Sequence, residues 1–95
     1  MRLEWKPKAR EDLLSIVDYI AQDNPDAADR LADEIEAKTA RLPTHPKLYK
    51  PGRMKGTREM VVRPNYLVVY AIETDSISVL RVLHAAQQWP EKQTP

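Results

Sequence analysis

The chemistry this sequence can offer is cationic. Between His45 and Tyr66 stand Lys47, Lys50, Arg53, Lys55, Arg58 and Arg63, opposed only by Glu59. Residues 1–42 carry ten acidic and seven basic side chains, whereas residues 43–95 carry eight basic and four acidic ones. A basic surface inside a chain of net charge +1 points to an anionic partner, either nucleic acid or an acidic protein. Cysteine is absent, which removes thiolate nucleophiles, disulfides and cysteine metal sites together. The two histidines, His45 and His84, lie too far apart in sequence to form a local ligand pair, so no metal and no cofactor is expected. No apolar run approaches the ~18–20 residues of a membrane-spanning helix, and no membrane partner is expected. The start, Met1-Arg2-Leu3-Glu4-Trp5-Lys6, lacks the apolar stretch of a secretory signal, which together with the missing cysteine fits the cytoplasm.

These side chains need elements to position them, and 95 residues suffice for one domain. Arg2-Leu3-Glu4-Trp5 alternates briefly, as a short edge strand does. Pro7 suits a first helical turn, and Ala9, Leu13, Ile16, Val17 and Ile20 then repeat at helical spacing, with Arg10, Glu11, Asp12 and Asp18 on the outward side. This predicts a helix over 7–23. Asn24-Pro25-Asp26 restarts a helix, with Asn24 as N-cap, and Ala28, Leu31, Ile35 and Leu42 give its stripe over 25–42. Residues 43–56 hold three prolines and both glycines and read as a loop. Strands are expected over 57–63, 65–73 and 76–84, with Tyr66 and Tyr70 on one core face and Ala85 to Pro95 an irregular tail. The fold class is α+β in the order β-α-α-β-β-β: an N-terminal helical hairpin packed on an antiparallel sheet, all within one domain of residues 1–95. Arg81, inside an apolar strand, is expected to pair with a helix acid such as Glu34 or Glu36.

His45-Pro46-Lys47-Leu48-Tyr49, Gly56-Thr57-Arg58-Glu59, Pro64-Asn65-Tyr66 with Val68-Val69-Tyr70, and Arg81-Val82-Leu83-His84 follow one another in an order that resembles the RelE/ParE superfamily of type II toxin–antitoxin toxins, closest to its ParE branch. The resemblance covers residues 1–90. It implies a bacterial toxin held inactive by a cognate antitoxin, whose helix would dock on the helical hairpin at Tyr19, Ala27 and Ala28 while an extended segment adds a strand to the sheet.

The superfamily divides by target. ParE-like members bind and inhibit DNA gyrase without enzymatic chemistry, and RelE-like members cleave mRNA on the ribosome. Gyrase inhibition is the expected activity, with Lys55, Arg58, Arg63 and Trp89 as target-binding residues. Metal-free RNA cleavage would need a base for the 2′-hydroxyl, an acid for the leaving oxygen and cations for the phosphorane. His84 would serve as acid or base, with Arg63, Arg58 and Lys55 as cations. Against this alternative, Leu67 stands where such nucleases tend to place a second arginine, and Ala85-Ala86-Gln87-Gln88 stands where they carry a basic residue or tyrosine. Arg81 and His84, three apart on a regular strand, point to opposite faces and meet only if the strand bulges or ends between them. Trp89 has two open readings, a cap on the core or an anchor for a partner.

Overall fold

The computed structural model describes residues 1–90, so the last five residues of the expected irregular tail lie outside the described residues. The chain runs β1 (Arg2–Trp5), α1 (Pro7–Ala21), α2 (Pro25–Ala40), β2 (Arg58–Arg63), β3 (Tyr66–Ile72) and β4 (Ser76–His84). Pro7 opens α1, and the Asn24 side chain accepts a 3.0 Å hydrogen bond from the Ala27 N–H to cap α2 behind Pro25. Both helices stop two residues short of the expected ends, where single-turn hydrogen bonds take over.

The sheet order is β1-β4-β3-β2. β2, β3 and β4 form the expected antiparallel meander, but β1 pairs with β4 in parallel, which makes the whole sheet mixed. Leu13, Leu31 and Ile35 from the helices, with Leu42 just beyond α2, pack onto Met60, Val62, Val68, Tyr70, Ile77, Val79 and Val82. Leu67, Val69 and Leu83 emerge on the far side of the sheet, where Leu80 and Trp89 lie against them. Two inward residues of β4, Val79 and Val82, are three apart because Leu80 is an extra residue between the pairs Tyr70–Val79 and Val69–Arg81. Residues 81–84 then pair regularly with residues 69–66.

The helical stripes carry a measurable expectation. Leu31 is fully buried and Leu13 nearly so. Leu31→Ala and Leu13→Ala should each cost about 2–4 kcal/mol in denaturant unfolding, through lost burial and the cavity left behind. Val17 is only half-buried at the margin of the core, and its truncation should cost less. A cost below about 1 kcal/mol for Leu31→Ala would contradict the packing.

Candidate target-binding surface

The basic segment does not fold into a single patch. Arg58 opens β2 and Arg63 closes it, five strand residues away, or about 16 Å. The first group gathers at the 43–57 loop. Gly56 adopts φ +82°, a conformation glycine accepts without strain, and beside it Lys55 is exposed and makes no ion pair among the described residues. At Gly52 a Cβ atom would lie 2.5 Å from Thr57 Oγ1, so any larger residue there would push against the hydroxyl that donates to the Met54 carbonyl. Arg58 is half-buried and turns back into the loop, where its guanidinium donates a 2.6 Å hydrogen bond to the Tyr49 carbonyl. Glu59, the local acid, accepts from the Arg53 backbone N–H at 2.8 Å and from both ends of its guanidinium. Burial pushes the Glu59 carboxyl up, but these hydrogen bonds and the charge of Arg53 outweigh it and hold the group below its ordinary value.

The second group lies at the opposite end of the sheet. Arg63, Tyr66 and His84 stand in register across β2, β3 and β4. Arg63 is bound to α2, with Nε and a terminal nitrogen both 2.8 Å from Glu34 Oε2. Lys38 donates to the Val62 carbonyl at 3.1 Å and lies 3.8 Å from the same carboxylate. The ring of His84 meets Tyr66 edge-on at 5.3 Å, and its Nδ1 accepts the Ala86 N–H at 3.1 Å. In its neutral form the ring therefore carries its proton on Nε2. That bond closes the turn after β4, a structural use of the histidine.

Arg81 is absent from this row. Its partner is neither Glu34 nor Glu36 but Asp12 on α1, which the helical pattern had placed outward. Arg81 Nε donates to Asp12 Oδ2 at 2.7 Å and its terminal nitrogen to Oδ1 at 3.2 Å, with the two side chains only 10% and 9% exposed. Glu34 is taken by Arg63, and Glu36 lies 3.8 Å from Arg10. The bulge at Leu80 precedes Arg81, so the regular pairing beyond it keeps Arg81 and His84 on opposite faces.

Trp89 is half-buried against the outer cluster of Leu67, Val69 and Leu83, with the Arg81 guanidinium 5.5 Å from its ring. This is the position of a cap. On the helical hairpin Tyr19 is 74% exposed, Ala27 is half-buried and Ala28 is buried, because Ala28 belongs to the inward stripe with Leu31 and Ile35. Of the three residues assigned to antitoxin docking, Tyr19 stands clear of the fold.

The geometry divides the four ribonuclease candidates between the two ends of the sheet. Lys55 and Arg58 sit at one end of β2, Arg63 is neutralised by Glu34 at the other, and His84 caps a turn. Comparison with known proteins agrees with the architecture. Residues 3–89 match the model of the ParE toxin of the type II toxin–antitoxin system parDE. Y4kP of Sinorhizobium fredii is 40% identical over 91 residues, covering 95% of this chain and 94% of that protein. Toxin RelE2 of Caulobacter vibrioides is 34% identical over 85 residues, covering 87% and 93%. Among solved structures, the chromosomal ParDE toxin–antitoxin system of P. aeruginosa superposes with a TM-score of 0.80 at 22% identity, over 88% of this chain and 95% of that one. The chain belongs to the ParE toxin family, within the ParE/RelE superfamily of type II toxin–antitoxin toxins.

Proposed function

We propose that this toxin acts in the cytoplasm by binding DNA gyrase and inhibiting it, without cleaving RNA, and that a cognate antitoxin neutralises it. The observation that carries the reading is the separation of Lys55 and Arg58 from Arg63 and His84 by the length of β2: a phosphorane needs acid, base and cations within hydrogen-bond reach of one substrate. Here Arg63 is held by Glu34, and Arg58 by the loop it supports. Of the three candidate cations, Lys55 is the one left open to a target, and Trp89 contributes by holding the outer face. The matching ParDE system of P. aeruginosa supports an antitoxin as the physiological partner.

The runner-up is a ribosome-dependent mRNA endonuclease, favoured by the likeness to Toxin RelE2 and by the alignment of Arg63, Tyr66 and His84 across the sheet. Purified toxin added to translating ribosomes, followed by primer extension, separates the two. The transcripts should remain intact. Codon-specific cuts that vanish in His84→Ala would overturn the proposal and establish the nuclease.

A further inference from the structure

We infer that the junction of α2 with the 43–57 loop is a docking groove for an acidic peptide segment that carries one aliphatic anchor. This goes beyond gyrase inhibition and does not depend on it. The first observation is how charge is distributed. Arg2, Lys8, Arg10, Lys38, Arg53, Arg63 and Arg81 each face a carboxylate. Arg41, Lys47, Lys50 and Lys55 are exposed and form no ion pair among the described residues, and the same holds for Lys6 and Arg30 elsewhere, so four of these six cations gather around this junction. The nearby acid, Glu59, is already neutralised by Arg53. The field of this region is therefore left for a partner to satisfy.

The second observation is shape. Lys38, Arg41, Leu42, His45, Leu48 and Tyr49 line an open pocket of about 130 Å³. Its Leu42 is buried, while Leu48 stands 68% exposed. Leu48 and Tyr49 also wall an adjoining depression with Lys50, Glu59 and Val61, and Val61 is 59% exposed on the edge strand β2. An apolar concavity with a cationic rim suits an aliphatic side chain flanked by carboxylates. A nucleic-acid backbone would meet the cations but leave Leu48 and Val61 uncovered.

The third observation is preorganisation. The Tyr70 hydroxyl donates to the Pro46 carbonyl at 2.7 Å, and Arg58 donates to the Tyr49 carbonyl at 2.6 Å. Leu48 is thus held outward between two tethered residues, and a ligand need not order the loop on binding.

Amide-resolved NMR of the full toxin, titrated with a short blocked peptide containing one leucine between acidic residues, tests this directly. Perturbations should centre on residues 38–50 and 59–61. Replacing the peptide leucine by alanine should weaken binding about tenfold, the value of one aliphatic anchor. Arg41→Gln with Lys50→Gln, both exposed positions, should weaken it comparably while leaving the remaining spectrum unchanged. No response, a response elsewhere, or an equal response to a lysine-substituted peptide would overturn the assignment. A short DNA duplex that perturbs the same residues while the acidic peptide does not would overturn it as well, in favour of a nucleic-acid surface.

Discussion

Replacing Asp12 with alanine is expected to cost the fold about 3–5 kcal/mol, because it removes the buried carboxylate that holds the Arg81 guanidinium at 2.7 Å. The loss has a second component. β1 pairs with β4 through Val79, and the Lys6 N–H donates to the Val79 carbonyl at the last rung. Beyond that rung no strand of the described residues covers this side of β4, and the Val82 N–H donates instead to Asp12 Oδ2 at 3.0 Å. One carboxylate therefore binds Arg81 and finishes the edge of a strand, so alanine breaks both arrangements and takes the acceptor from the buried Val82 N–H. Against the 5–15 kcal/mol typical of a whole domain, the variant should be largely unfolded at modest denaturant. Combining Asp12→Leu with Arg81→Met should recover much of the loss by removing the charge as well as its partner. Denaturant unfolding followed by tryptophan fluorescence measures all three proteins. A cost below about 1 kcal/mol for Asp12→Ala would show that water reaches the pair and that the edge closes another way.

Tyr70→Ala should be comparably damaging, at about 3–5 kcal/mol, since Tyr70 is among the largest fully buried side chains and sits in the middle of the helix-facing layer. Tyr70→Phe isolates the hydroxyl. It keeps the ring, leaves the Pro46 carbonyl without its donor and should cost about 1 kcal/mol. Burial raises the Tyr70 pKa, so the phenol remains a donor throughout the neutral range. The two variants should also differ in kind: phenylalanine should speed amide exchange within residues 44–50 and spare the sheet, whereas alanine should accelerate exchange in β2, β3 and β4 together. Equal protection of the loop in wild type and Tyr70→Phe would show that the loop is held by other contacts.

The elements were legible because punctuation and period agree. Pro7, Asn24-Pro25 and Pro43 bracket two stripes of helical spacing, and the apolar run from Tyr66 to Ile72 can be buried only as a central strand. Pairing was less visible. Nothing local in Arg2-Leu3-Glu4-Trp5 says that its neighbour lies some seventy residues away and runs parallel. Asp12 was misplaced because charge on a helix is ordinarily solvated. Yet it falls three residues after Ala9 and four before Ile16, on the inward stripe, and an arginine within the apolar run of β4 supplied the reason for an acid there. The basic run read as one surface because sequence proximity hides the length of a strand. β2 carries Arg63 away from Lys55 and Arg58, and the helix acid Glu34 then claims it. Trp89 could not be resolved from sequence because its cover, Leu67, Val69 and Leu83, is set by which face of two paired strands turns outward.

DNA supercoiling by purified gyrase decides whether gyrase is the target of this toxin. With relaxed plasmid and ATP present, increasing toxin should progressively abolish supercoiling, and premixing with the cognate antitoxin should restore it. Full supercoiling activity at saturating, folded toxin would contradict gyrase inhibition.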